Sequence, residues 1–429
     1  MNYDETLDYI RSIRPLGTKP GLARVSALLA LAGNPQNGLV KYVHVTGTNG
    51  KGSVCASLAH ILANSGYKTG LYTSPYVVDF TEQIQINGFA VPRSALAQIV
   101  TELKTLADTL TDTPSEFELI TAAAFVFFAR EQCDIAVIEV GMGGESDATN
   151  VIRSPVLSVI TSVALDHTAY LGRTIREITL TKSGIIKDSC PVLFAGDDEQ
   201  ALEIVRDVAK KNDSAFFSLD ISDIRDVSYS LNTTVFSYKN FENINLSLLG
   251  KFQVRNAAAV IECVDIMRSR GWSIPESALR KGLEKVVWKA RFELFSTAPY
   301  IIIDGGHNPQ CAQAVFDSML LYFGNKKAVL LTGMMKDKDC KTVAHILAPA
   351  VKAVFAVRPD NPRAIDPDEL AEIYRSENIP SAAYDDIETG VRKAYAQAVL
   401  TDSVLLVTGS FYMYADVVNS LRKVLFSEA

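Results

Sequence analysis

At 429 residues the chain exceeds the ~250–300 at which a single hydrophobic core usually stops growing, so two unequal domains are expected. Hydrophobic residues at 48% and charged residues at 21% are ordinary values for a packed enzyme and exclude a disordered chain or a fibre. A net charge of -7 offers no broad cationic field, which argues against nucleic acid or an anionic membrane as the main partner and leaves anionic substrates to locally placed Lys and Arg.

The amino terminus, MNYDETLDYIRSIRP, is acidic and amphipathic rather than basic and then apolar, and no apolar run approaches the ~18 residues of a membrane span. Cys55, Cys133, Cys190, Cys263, Cys311 and Cys340 are widely spaced, without CxxC pairs or clustered His, so neither a structural zinc nor a disulfide framework is expected. A cytoplasmic location follows as the expectation. An apolar strand candidate, Val40–Val45, then runs into the stretch GTNGKGS, and helical spacing follows over Val54–Leu62. The alternation recurs: strand candidates at Tyr67–Tyr72, Ile135–Val140 and Pro155–Ile160, with a helix over Glu116–Arg130. That pattern predicts an α/β domain with a mostly parallel, buried sheet.

From Ser214 to Leu249 the stretches VSYSL, TVFSY and INLSL, separated by Asn-rich turns, predict antiparallel strands at the edge of the first domain. Helices are expected over Phe252–Arg270 and Glu276–Glu284. Strand candidates at Tyr300–Asp304, Ala328–Thr332, Ala353–Val357 and Ser403–Val407 alternate with helical stretches, so a smaller α/β domain is expected over residues 298–429, after a first domain over residues 1–297.

The strongest chemical signal is Gly47-Thr48-Asn49-Gly50-Lys51-Gly52-Ser53, set between a strand and a helix. Small residues let backbone N–H groups approach phosphate oxygens, Lys51 adds a point charge, and the helix N-terminus adds its dipole. The stretch departs from the common P-loop pattern, because Val45 stands where its first Gly belongs and Gly52 separates Lys51 from Ser53. Glu139 falls at the carboxyl edge of a strand candidate, where open α/β sheets place ligands, and one or two carboxylates suffice for Mg²⁺. Taken alone, Glu139 reads more readily as a solvated or capping side chain, His167 as a loop histidine, Lys182 as a solvated helix lysine and Phe117 as core.

GTNGKGS in this setting resembles the Mur ligase superfamily, and Tyr72-Thr73-Ser74-Pro75 through Asp79-Phe80-Thr81-Glu82 resembles its folylpolyglutamate synthase and dihydrofolate synthase branch. The resemblance continues through Ile138–Gly144, Asp147-Ala148-Thr149-Asn150, Leu165-Asp166-His167-Thr168, Lys182–Lys187, Phe252-Gln253 with Asn256, Arg291-Phe292-Glu293, Asp304–Pro309, Met335–Asp339 and Thr408-Gly409-Ser410. It implies a Mur-ligase-like P-loop domain followed by a smaller α/β domain. It also implies an ATP-dependent ligase that joins L-glutamate to a folate, and in some members to dihydropteroate, through an acyl phosphate. Thr48, Asn49, Gly50, Lys51, Gly52, Ser53, Asn256, Arg291, Asp304 and His307 match nucleotide-contacting positions. Ser74, Glu139 and His167 match the ligands of Mg²⁺, and Lys182 the lysine that is carbamylated; Lys51, His167 and Lys182 are the expected catalytic group. Phe117, Glu118 and Thr121 match the pterin-contacting segment.

One departure stands out: the family's usual arginine and apolar residue before Asp-Ala-Thr-Asn are here Glu145 and Ser146. The plainer reading is a tolerated exchange on an exposed loop; the functional one, from the resemblance, is that Ser146 offers less packing surface to a pterin and Glu145 reverses a charge. The expected partners are small molecules only (folate or pteroate, L-glutamate and ATP), with no nucleic acid and no membrane, and a monomer is expected. Two other readings stay open at this point: a Mur-type amide ligase for a different acid and amino acid, and a nucleotide-binding module that no longer ligates.

Overall fold

The computed structural model describes residues 1–13 and 21–427, so Arg14 and Pro15 at the end of the acidic amino-terminal stretch lie outside the described residues. By packing, the chain divides into one unit of Met1–Ile224 with Asn256–Val286 and a second of Arg225–Arg255 with Val287–Ala429. The boundary therefore falls between Val286 and Val287, some residues before the expected 297/298. The chain also enters the second unit early, over Arg225–Arg255, which a reading in chain order cannot anticipate. Among the described residues no helix is long and apolar enough to cross a membrane.

The first unit is built on eight strands: β1 (Lys41–Thr46), β2 (Thr69–Tyr72), β3 (Ile84–Ile86), β4 (Phe89–Ala90), β5 (Ile135–Glu139), β6 (Leu157–Ile160), β7 (Val192–Phe194) and β8 (Phe216–Ser218). Their order is β4-β3-β2-β5-β1-β6-β7-β8. From β2 to β8 every neighbouring pair is parallel, while β3 and β4 add an antiparallel edge. The central strands read IAVIE and YVHVT because both faces are covered and little but β-branched or aliphatic residues fit there. Helix Lys51–Asn64 packs on β1, β2 and β5. Helix Glu116–Arg130 begins at a reciprocal cap in which Ser115 and Glu118 each accept the other's backbone N–H, and its apolar body lies in the core.

Register fixes where the chemistry gathers. Val45 of β1 pairs with Glu139 of β5, Thr46 with Ile160 of β6, and Tyr72 of β2 with Ile138 of β5. The carboxyl ends of β2, β5, β1 and β6 are therefore level, and the loops beginning at residues 73, 140, 47 and 161 leave from one edge. That edge is where ligands bind in open parallel sheets.

The strands separated by Asn-rich turns, β9 (Ile224–Tyr229), β10 (Thr234–Tyr238) and β11 (Phe241–Leu246), do not extend the first sheet. They form a separate sheet in the order β11-β10-β9, and from Arg225 on they belong to the second unit. The correction has a local cause: alternation specifies a strand with one covered face but not which domain covers it.

The second unit's main sheet contains β12 (Glu293–Thr297), β13 (Tyr300–Ile303), β14 (Ala328–Thr332), β15 (Val351–Val357), β16 (Ser381–Tyr384) and β17 (Leu405–Thr408) in the order β12-β13-β17-β14-β15-β16. All neighbours are parallel except β12 against β13. Strands β12 and β16 escape the periodicity argument because each is short and only partly covered. Ile303 pairs with both Glu293 and Val407, so the segments 290–292, 304–307 and 408–411 meet at one edge of this sheet.

Candidate active site

The loop 47–53 links β1 to helix Lys51–Asn64, and its shape is set by the neighbouring loop after β6. Thr48 N–H donates to the Ser162 carbonyl at 2.8 Å. Asn49 N–H donates to Ser162 Oγ at 2.9 Å, and the Asn49 carbonyl accepts from Thr161 Oγ1 at 2.6 Å and Ser162 Oγ at 3.0 Å. Gly50 sits at φ 86°, and a side chain there would meet Asn256 Oδ1 at 2.7 Å, so the residue must be glycine on both counts. The same contact places Asn256 beside the loop. Lys51 Nζ donates to the carbonyls of Gly47 and Thr48 at 3.0 and 3.2 Å, which holds its ammonium over the loop at the start of the helix. Gly52 and Ser53 begin the buried face of that helix.

Around this loop the strand ends deliver the other groups. Glu139 closes β5 with 4% exposure and accepts the Ser74 N–H at 3.4 Å, so the TSP segment after β2 and this carboxylate lie side by side. His167 follows β6 in the left-handed region at φ 49°, with Nε2 at 3.9 Å from Asp166 Oδ1. A carboxylate, a serine and an imidazole are a sparse donor set that fits Mg²⁺, which takes few protein ligands and completes its shell from phosphate and water.

Lys182 is the largest departure from its plain reading. It is only 3% exposed, near the end of helix Ile175–Ser183. Burial, joined by repulsion from the Lys51 ammonium and opposed by Asp166 and Asp147, brings its pKa down from 10.5 to about 7. The loop 143–145 lies so close to this helix that a side chain on Gly144 would meet the Lys182 carbonyl at 2.7 Å.

The loop between Glu139 and Asn150 is held by a buried polar chain that the sequence did not announce. Asp147 accepts the N–H groups of Met142 (2.9 Å) and Thr149 (3.0 Å) and the Thr149 hydroxyl (2.5 Å). Because Thr149 gives its single hydroxyl proton to Asp147, its oxygen accepts from His44 Nε2 at 2.8 Å, which fixes the tautomer of that ring. His44 is fully buried, and desolvation, with the Lys187 charge nearby, lowers its pKa to about 3, so it stays neutral. The only sequence signal was a histidine inside an otherwise apolar strand.

Of the pterin-segment candidates, Glu118 accepts from Ser115 N (2.7 Å), Ser115 Oγ (2.8 Å) and Arg24 Nε (3.0 Å), and Thr121 pairs with the Tyr72 hydroxyl at 3.1 Å. Both are buried, and their polar atoms serve the protein itself. Phe117 is partly exposed and lies over Gly141, where a side chain would meet its Cζ at 2.4 Å. Glu145 and Ser146 are exposed, on a backbone pinned by Glu145 N–H to the Thr181 carbonyl (2.8 Å) and by Asn150 Nδ2 to the Glu145 carbonyl (2.9 Å).

In the second unit Asp304 is 5% exposed and accepts Phe292 N–H at 2.8 Å and Gly306 N–H at 2.7 Å. Burial raises its pKa, while Arg291 and the two N–H groups oppose the rise. His307 follows three residues later, with Nδ1 at 3.3 Å from the Gly305 carbonyl. Arg291, Asp304 and His307 thus gather at one sheet edge. The first unit gathers Thr48–Ser53, Ser74, Glu139, Asn256, His167 and Lys182 at its own.

A glycine-rich loop between strand and helix and a buried carboxylate at the level ends of a parallel sheet, with a buried lysine on a neighbouring helix, are the features of a Mur-type ligase. The family comparisons agree: residues 45–264 match the Mur ligase middle domain, and residues 290–411 match the Mur ligase, glutamate ligase domain. The dihydrofolate synthase/folylpolyglutamate synthase of Bacillus subtilis is 33% identical over 98% of this chain and 99% of its own. The folylpolyglutamate synthase of Lacticaseibacillus casei is 34% identical over 98% of this chain and 99% of its own. The solved structure of Escherichia coli FolC in complex with DHPP and ADP superposes with a TM-score of 0.86 at 27% identity, covering 100% of this chain and 99% of the other. The chain belongs to the folylpolyglutamate synthase/dihydrofolate synthase family of Mur ligases, and it is an ATP-dependent ligase.

Proposed function

We propose that this chain, as a cytoplasmic monomer, adds L-glutamate to a reduced folate, tetrahydrofolate being preferred over dihydropteroate, through an acyl phosphate formed with ATP. The observation that carries the reading is the convergence of the 47–53 loop, Glu139 and the buried Lys182 on one sheet edge, in a chain that matches folylpolyglutamate synthases along almost its whole length. A free carboxylate is a poor electrophile because its leaving group would be oxide. Transfer of the γ-phosphoryl group converts that oxygen into phosphate, which the glutamate amine then displaces.

In this reading the N–H groups of Thr48–Ser53 cradle the phosphates, and Lys51 offsets the repulsion between the γ-phosphate and the incoming carboxylate. Ser74, Glu139 and His167 hold Mg²⁺, which supplies charge neutralisation and alignment at the phosphates. Asn256, and in the second unit Arg291, Asp304 and His307, contact the nucleotide, while Phe117, Glu118, Thr121 and Ser146 belong to the acceptor side. Since Glu118 and Thr121 already serve Arg24 and Tyr72, their part is to fix the segment that presents Phe117.

Lys182 carries a carbamate in the working enzyme. As an ammonium it repels Lys51, whereas a carbamate would replace that repulsion by attraction and put anionic oxygens beside the metal ligands. A pKa near 7 leaves much of the amine unprotonated and able to react with CO₂ at neutral pH.

The deciding experiment is ADP release with tetrahydrofolate and glutamate, each omitted in turn. Release that requires both supports the reading. No release with any pteroate or folate acceptor paired with glutamate would transfer the chain to a Mur-type ligase of other specificity.

A further inference from the structure

Arg291 is held in place by an unusual amount of structure. It lies between Ala290 at φ 55° and Phe292 at φ 48°, two apolar residues in the left-handed region, where a Cβ is disfavoured. Such backbone persists only when its surroundings over-determine it. Here Ala290 N–H donates to the Glu293 carboxylate at 2.9 Å, the Gly305 N–H donates to the Ala290 carbonyl at 2.8 Å, and Phe292 N–H donates to Asp304. Glu293 is in turn fixed by the Tyr414 hydroxyl at 2.8 Å, and the buried Phe292 ring stacks on Tyr322 at 5.6 Å.

The guanidinium that emerges from this turn lies over the face of Phe411, 4.2 Å from the ring centroid. His307 meets the same ring edge-on, at 6.2 Å and 78°. Between them, a side chain on Gly305 would strike Phe411 Cε1 at 2.0 Å, so the Asp-Gly-Gly-His segment needs a glycine there to admit the ring. Phe411 follows β17, whose neighbour β13 ends at Ile303, directly before Asp304, so the register itself brings the ring to Arg291 and His307. At 9% exposure the ring is essentially covered by these neighbours, which makes it a support rather than a surface for ligand.

We infer that Phe411 is a positioning residue for nucleotide binding, acting through Arg291 by a cation–π contact that fixes the guanidinium plane. The inference rests on the reading that Arg291 contacts the nucleotide. A desolvated cation–π contact is worth a factor of about 3 to 30 in affinity.

The test is a double-mutant cycle on ADP affinity, measured by calorimetry on the full chain, with Arg291→Met, Phe411→Leu and their combination. Phe411→Leu should weaken ADP binding about 3- to 30-fold, Phe411→Tyr should restore it, and Phe411→Leu should cause no further loss when Arg291 is already Met. If the leucine variant does not fold, Phe411→Met enters the same cycle. Wild-type affinity in Phe411→Leu, or an equal loss in both backgrounds, overturns the inference while leaving Arg291 as a nucleotide contact. No loss in Arg291→Met overturns the nucleotide reading itself, and the inference with it.

Discussion

Replacing Lys182 with Met tests the most unusual electrostatic feature of the site. The side chain is buried and its pKa falls from 10.5 to about 7, chiefly through desolvation, with Lys51 adding repulsion. The unfolded chain keeps that proton up to the ordinary lysine value, so between pH 7 and 10.5 the unfolded state binds more protons and stability rises with pH. Below pH 7 both states are protonated and the penalty is constant. A difference of about 3.5 pH units corresponds to about 5 kcal/mol at most, at ~1.4 kcal/mol per unit. Methionine fills a similar volume without the charge. In CO₂-free buffer Lys182→Met should therefore be more stable than the parent by about 4 kcal/mol at neutral pH, a gain that shrinks by ~1.4 kcal/mol per unit above pH 7 and vanishes near pH 10.5. Guanidinium chloride unfolding at about pH 6.5, 8 and 9.5 measures it, and activity should be lost throughout. A pH-independent difference, or a less stable variant, would refute the argument that a buried ammonium is strained here. In ¹³C-bicarbonate the parent should show a carbamate carbonyl resonance that the variant lacks.

Lys51→Ala should lower turnover by about 100-fold or more while leaving the melting temperature nearly unchanged without ATP, because its ammonium contacts only two carbonyls of its own loop; near-normal ligation would remove the phosphate-loop assignment. His167→Ala should raise the Mg²⁺ concentration for half-maximal activity about tenfold, whereas a uniform loss of rate at an unchanged midpoint would assign the histidine another role. Glu145→Arg with Ser146→Leu should raise kcat/KM for dihydropteroate relative to tetrahydrofolate by about tenfold, the worth of one apolar side chain against a ring. Both side chains are exposed on a pinned backbone, so an unchanged ratio would mean that the exchange is only a tolerated surface change.

Of the first sheet only the four central strands, β2, β5, β1 and β6, were legible, from their alternation with helical stretches such as Glu116–Arg130; β3, β4, β7 and β8 span only two or three residues each and carry too little pattern to be read. Lys51 was legible from its loop. Lys182 was not, since a lysine near a helix end carries no sign of burial in its own neighbourhood; the Gly143–Glu145 loop packed against its backbone comes from nearly forty residues upstream. Phe411 was invisible for a similar reason. It becomes significant only when β17 is set beside β13, a pairing of residues a hundred positions apart. The early entry into the second unit at Arg225 was hidden because the strands it contains carry the same pattern wherever they pack.

What the sequence could not place, local disfavour does. Among the described residues thirteen non-glycine positions lie in the left-handed region, and seven are Asn or Asp, which tolerate it in ordinary turns. The two apolar ones, Ala290 and Phe292, flank Arg291, and the one histidine is His167. The buried lysine with a pKa near 7 and the buried histidine whose Nδ1 has no hydrogen-bond partner among the described residues both lie in the first unit, tied to the loops around Glu139. An aliphatic residue in place of His44 would suit its strand better, and one in place of Lys182 would suit the core better. Each instead holds or faces a loop at the ligand edge of a sheet. Stability alone would select against these choices, and their gathering at the two sheet edges is what binding and phosphoryl transfer require of a fold.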